Sequence, residues 1–144
     1  MIHANTAPYA ALLLRLSLAV MFIAHALLKI VVFTVPGTVQ FFESVGFPGF
    51  LAYVTIAAEL GAGVLLLAGI AARWVALAMV PILLGAAWVH LPNGWVFNAQ
   101  GGGWEYPVFL AVAAVVQFLL GDGACAWSAR RTALPVMGTG DRVA

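Results

Sequence analysis

Four apolar stretches, at about residues 9–33, 50–70, 74–91 and 104–120, take up most of this chain of 144 residues. Each reads as one crossing of a hydrocarbon core about 30 Å thick, for which an α-helix needs about 20 mainly apolar residues. Composition points the same way. Hydrophobic residues make up 65% of the chain and charged residues 8%, with a mean hydropathy of +1.08, whereas soluble domains carry about 25% charge. The expected fold is an all-α membrane protein: a four-transmembrane-helix up-down bundle, one domain over residues 1–144, with residues 121–144 as a tail. A net charge of +1 leaves no basic patch for nucleic acid.

Turn chemistry marks the breaks. Pro36, Gly37, Gly46, Pro48 and Gly49 bracket the first connection, Gly69 and Arg73 the second, and Pro92, Asn93, Gly94 and the glycines 101 to 103 the third. The first apolar run is longer than the 7–15 residues of a signal-peptide core and contains Lys29, so it is expected to be a retained span. Arg73, Arg130, Arg131 and Arg142 fall on the side of the termini, while the connections 35–49 and 92–103 hold no Lys or Arg. The positive-inside bias therefore puts both termini in the cytoplasm. Within the first outer connection, the segment from Val39 to Val45, with Phe41, Phe42 and the nearby Phe47, reads as a short amphipathic helix on the membrane surface or over the mouth of the bundle.

The six Lys and Arg and five Asp and Glu of the chain are few enough for their positions to carry information. A charge at bilayer depth costs about 2.5 kcal/mol or more on insertion scales. With 1.5 Å of rise per residue, His25 and Lys29 lie roughly 6 and 12 Å outward of the middle of the first span, and Arg15 roughly 9 Å inward. Glu59 is near the middle of the second span, with His90 and Glu105 at the outer ends of the third and fourth. Arg15, His25 and Lys29 fall within an arc of about 80° on one helix face, which should point into the bundle. Glu59 is the acidic residue deep enough to compensate Arg15 or Lys29, and it is expected to pair with one of them.

Ala57 with Gly61, Ala58 with Ala62, and Glu59 with Gly63 place small side chains at four-residue spacing, so a neighbouring helix can approach the second span closely. Pro81 should kink the third span. Trp88, Trp95, Trp104 and Tyr106 gather at the outer interface, either as an aromatic belt or as the walls of a pocket on which a planar ring such as a quinone would stack.

Taken in order, Arg15, the run His25 to Lys29, Phe47-Pro48, the run Ala58 to Gly61, Ala72-Arg73, His90 and the run Gly102-Gly103-Trp104-Glu105-Tyr106-Pro107 resemble the DoxX family of four-helix bacterial and archaeal membrane proteins, over roughly residues 10 to 122. The position after the first histidine is Ala26, where many members have glycine. The resemblance implies a multi-pass protein of the plasma membrane that accompanies redox systems, as a subunit or accessory partner of quinone- or thiol-linked oxidoreductases. Carried over by position, it singles out Arg15, His25, Lys29, Glu59, His90 and Glu105.

The residues then allow three hypotheses. In the first, an outward pocket holds a quinone: His25 and His90 donate to a carbonyl oxygen, Lys29 stabilises developing charge, Glu59 or Glu105 exchanges protons, and Arg15, Trp88, Trp104 and Tyr106 help to hold the ligand. In the second, the chain is a non-catalytic scaffold that docks partner enzymes or a further copy of itself, and its buried charges are structural pairs. The third is transport of a small solute, against which stands the lack of an internal repeat or broken helix. Cys125, as a lone thiol, cannot run an intramolecular dithiol cycle. His25 and His90 lie at comparable depths, so a bis-histidine haem or a metal site with Glu59 or Glu105 is conceivable. Two histidines without a spacing motif are weak evidence for either.

Overall fold

The computed structural model describes residues 3–127, all of whose regular structure is helical. Arg130, Arg131 and Arg142, on which the inward orientation of the tail partly rests, lie outside the described residues. Helix α1 (Ala7–Leu27) runs without a break into a π-helical turn at Leu28–Val32. It is followed by α2 (Val35–Ser44), α3 (Phe50–Ala68) and α4 (Ala72–His90), then a 3-10 turn at Leu91–Asn93 and α5 (Glu105–Leu120).

Among the described residues, three helices are long and apolar enough to cross a membrane: Ala7–Val32, Phe50–Ala68 and Ala72–Asn93, of 26, 19 and 22 residues. The fourth apolar stretch forms a helix of 16 residues, about 24 Å long at 1.5 Å per residue. Glycines flank it. Gly121, its C-cap, has a positive φ, as do Gly101 and Gly102 in the connection that precedes it, a conformation that L side chains avoid.

The helix ends differ from expectation in two places. Pro36 and Gly37 belong to the first turn of α2 rather than to a connection, because a proline in the first turn forfeits only a donor that the helix would leave unpaired. Thr34 caps that turn by accepting a hydrogen bond from the Gly37 amide at 3.2 Å. Likewise, α4 starts before Arg73 and continues unbroken through Pro81 to His90.

Helix α1 packs mainly on α3 and α4 mainly on α5, with α3 against α4 and α1 against α5 completing the ring. Leu18, Phe22, Leu66, Met79, Leu83 and Leu110 fill the centre, with alanines 19, 62, 76 and 114 between them. Outward-facing positions are apolar too: Leu13, Val64, Leu84, Phe109 and Leu119 are more than half exposed. A helix that is hydrophobic all round is one whose surroundings are hydrophobic. The close contact of α1 and α3 depends on Gly63, where an added Cβ would run into the Ile23 side chain. Ala62 and Glu59 face the same way, whereas Ala57 and Gly61 point outward.

At one end of the molecule the start of α1 meets the end of α3, the start of α4 and the chain leaving α5. Arg15 lies there, 1% exposed, donating from Nη1 to the Asp122 carbonyl at 2.6 Å. An Asp122 carboxylate oxygen in turn accepts the Arg73 amide at 2.9 Å and so caps α4. Gly69 turns the chain at φ +67°, and a Cβ at this position would sit 2.5 Å from Arg15 Nη1. At the other end lie the π-helical turn, α2, the start of α3, the end of α4 and the start of α5.

Candidate functional site

Lys29 occupies the π-helical turn of α1, where the wider winding rotates side chains out of α-helical register. Its ammonium donates to both carboxylate oxygens of Glu59 at 2.8 Å each, and the two side chains are 18% and 10% exposed. Glu59 therefore pairs with Lys29 and not with Arg15. An ammonium has three donors, and among the described residues the third finds no protein acceptor. The backbone carbonyl of Lys29 lies 3.1 Å from the Thr38 hydroxyl, which also reaches the Thr34 carbonyl at 2.9 Å. Thr38, buried in α2, thus ties that helix to the ion-pair turn.

This ion pair borders a cavity of about 740 Å³. Four helices supply its polar groups: His25 and Lys29 from α1 and its π-helical turn, Thr55 and Glu59 from α3, His90 from α4 and Tyr106 from α5. The remainder of the wall is apolar, with Phe22, Phe41, Phe42, Phe47 and Phe97 prominent. Helix α2 is consequently part of the wall, contributing two of these rings. A volume of this size lies within the range of small-molecule sites, which are mostly apolar with a few convergent polar groups.

The two histidines are held differently. His25 Nδ1 is 2.8 Å from the Met21 carbonyl; a carbonyl only accepts, so Nδ1 carries the proton and Nε2 keeps a lone pair in the neutral ring. The His25 ring stacks on Tyr106, with centroids 5.7 Å apart and planes at 19°. His90 Nδ1 is buried without a hydrogen-bond partner, and so is the Tyr106 hydroxyl. Each such group costs about 1–3 kcal/mol if it stays unpaired.

Four of the residues singled out from sequence do not line this cavity. Arg15 shares a face with Lys29 but is fourteen residues away, roughly 21 Å along the axis, and is engaged at the far end of the molecule. Trp88 is 69% exposed, since two residues before His90 correspond to roughly 200° of rotation. Trp104 packs edge-on against Trp95, with centroids 4.4 Å apart. Glu105 accepts the Phe97 amide at 2.8 Å and organises the connection before α5. There the backbone of Gly103 presses against the carbonyls of Trp95 and Val96, leaving no room for a Cβ. The aromatic wall is therefore built of phenylalanines and Tyr106, not tryptophans.

Residues that the sequence reading did not single out are Thr38, Phe97 and Gln117. Gln117 is fully buried and donates to the Gly121 carbonyl at 2.7 Å. Its signal was available: it is the one amide in the apolar run from Pro107 to Leu120. Among the described residues, no group of three or more His, Cys, Asp or Glu side chains could hold a metal ion.

Comparison with known proteins adds the following. The family model DoxX matches residues 10–91, more than half of the chain; the run from Gly102 to Pro107 lies beyond the matched segment. A protein of Bacillus subtilis (strain 168), named "Putative oxidoreductase CatD", is 44% identical over 90 residues, which cover 62% of this chain and 66% of that protein. The match thus spans just under two thirds of the relative's own length. No solved structure matches the chain.

Proposed function

Because the chain belongs to the DoxX family of membrane proteins, we propose that it serves a quinone- or thiol-linked oxidoreductase system of the plasma membrane, as a subunit or accessory partner whose cavity binds a quinone ring. In this proposal all four of α1, α3, α4 and α5 cross the bilayer as an up-down bundle with both termini in the cytoplasm. The cavity then opens near the outer face. The short α5 reaches across by local thinning of the bilayer, which costs only fractions of a kcal/mol per Å of mismatch. The name of the Bacillus relative agrees with a redox association, and the lone Cys125 leaves any dithiol cycle to the partner.

One observation carries the proposal: two buried polar atoms without partners, His90 Nδ1 and the Tyr106 hydroxyl, belong to residues that line the same apolar cavity as the Lys29–Glu59 pair. A quinone supplies a flat ring for phenylalanine walls and two carbonyl oxygens at its ends. Tyr106 donates to one oxygen. The free ammonium hydrogen of Lys29 stabilises the negative charge that grows on the other as the ring takes two electrons from the partner enzyme. Two protons complete the quinol, and Glu59 is placed to pass them on. The donor role that sequence alone gave to His25 moves to Tyr106, because the Nδ1 proton of His25 is committed to Met21.

Quinone binding to the purified protein in nanodiscs tests this. Tyr106→Phe should weaken it by about tenfold, the loss expected of one hydrogen bond, with the fold intact. Equal affinities of the two proteins would sink the quinone site. A scaffold is the second reading, favoured by the Lys29–Glu59 pair, in which both carboxylate oxygens are already satisfied. It predicts co-purification of a partner enzyme with no quinone affinity in the isolated chain.

A further inference from the structure

A second hollow, of about 490 Å³, lies on the outside of α5 and shares two wall residues, Phe97 and Tyr106, with the large cavity. Its other lining residues are Trp95, Glu105, Val108, Phe109 and Val112. Positions 105, 108, 109 and 112 recur at intervals of three and four, so they form one stripe along α5, running about 10 Å from the helix start toward its middle. Below Glu105 the stripe is apolar and open: Phe109 and Val112 are 67% and 56% exposed, and Phe97 at its head 66%.

We infer that the cavity's ligand is an amphiphile with an aliphatic or prenyl tail, and that the tail leaves between Phe97 and Tyr106 to lie in this groove. The inference rests on the proposed quinone site and narrows its substrate class to tailed, lipid-soluble quinones. Adjacency is the first support, since Phe97 and Tyr106 line both spaces. Direction is the second. In a bilayer-spanning α5 the stripe runs from the outer boundary inward, parallel to lipid chains, while the ring-binding polar groups remain on the inner side of Tyr106. Glu105 contributes by holding the Phe97 amide, which makes it a positioning residue for the exit and not a proton carrier in the cavity.

The energetics define the signature to look for. Lipid is as apolar as the groove, so a tail gains little affinity by moving from one to the other. A blocked exit, by contrast, forces the tail back over the polar wall. The groove should therefore show itself as a penalty that falls on tailed ligands alone.

Val108 lines the groove and not the cavity and sits one turn from Glu105, beside the exit, so Val108→Trp obstructs the exit and spares the cavity. The probes are 2,3-dimethoxy-5-methyl-1,4-benzoquinone and the same ring carrying a decyl chain, each titrated into full-length protein in nanodiscs. Overpacking of the groove should weaken the decyl probe by about tenfold and leave the tailless ring within about twofold. An equal effect on both probes, or none on either, overturns the groove. As a measurement free of substitutions, a diazirine at the end of the decyl chain should label residues 105–112 of the native protein. Labelling of α2 instead, or equal labelling of 105–112 by a fatty-acid diazirine without a ring, overturns it as well. If the tailless ring fails to bind native protein, the quinone site falls and the groove with it; if it binds while the tailed arms fail, the groove falls alone.

Discussion

Each end of the bundle buries charge, yet the two ends resolve it in opposite ways. Around Arg15 the chain closes in: the guanidinium reaches the Asp122 carbonyl, Asp122 caps α4, Gln117 holds Gly121, and Gly69 passes too near Arg15 for any side chain. Around Lys29 the chain opens: the helix widens to a π turn, and the ion pair borders about 740 Å³ of space. Among the described residues both ends leave buried polar atoms unpartnered, Arg15 Nε and Gln117 Oε1 at one, His90 Nδ1 and the Tyr106 hydroxyl at the other. Only the second pair belongs to residues that line the large cavity. An unpaired atom in packed surroundings is a cost of folding, whereas one beside a cavity is a cost that a ligand can remove.

That contrast breaks most visibly at the ion pair. Lys29→Met leaves Glu59 without its counter-charge in an apolar wall, and should lower stability by about 3–5 kcal/mol. The double variant Lys29→Met with Glu59→Leu removes both charges and should regain most of the loss, because buried pairs are often replaceable by apolar residues of similar size. Thermal unfolding in detergent reads both effects. A double variant no more stable than the single one would mean that the pair stabilises the open end as firmly as Arg15 does the closed one.

Arg15→Met comes next in size. It forfeits a charged hydrogen bond to the Asp122 carbonyl, for a loss of about 2 kcal/mol. Quinone affinity, measured where the variant remains folded, should not move. A fall in affinity would show that the two ends are coupled through α1, and the comparison would have to be abandoned.

The helices were legible from sequence because membrane spans are written in composition, and the ends of α3 and α5 because Gly69 and Gly121 have few alternatives to ending one. Elimination gave Glu59 as the one deep acid and left its partner open between Arg15 and Lys29, a choice that the structure makes for Lys29. Angular reasoning succeeded only locally: it grouped Arg15 with Lys29 although fourteen residues of rise separate them. Depth alone admitted Trp88, whose neighbour two positions on faces the other way. The π turn carries no glycine or proline to announce it, and the cavity is a property of volume that no single residue encodes. Thr38 escaped notice because a hydroxyl in a short connection looks like a turn residue until its partner, the Lys29 carbonyl, is placed beside it.

The smallest expected effect is also the one whose sign differs between the ends. Tyr106→Phe deletes a buried hydroxyl that has no partner, so the unliganded protein should be unchanged or more stable by up to about 1 kcal/mol. The same variant is expected to bind quinone less well, which would make Tyr106 a position where stability is given up for function. At the closed end Gln117→Leu also deletes an unpartnered atom, Oε1, but it loses the bond to the Gly121 carbonyl at the same time. No gain in stability is expected there. Unfolding temperatures of the two variants, each recorded with and without quinone, separate the cases. The ligand should raise the native protein's temperature more than that of Tyr106→Phe, since only what binds the folded state in excess of its dissociation constant stabilises it. A Tyr106→Phe protein that is clearly less stable without ligand would mean that the hydroxyl has a partner of its own, and the open end would then be as self-sufficient as the closed one.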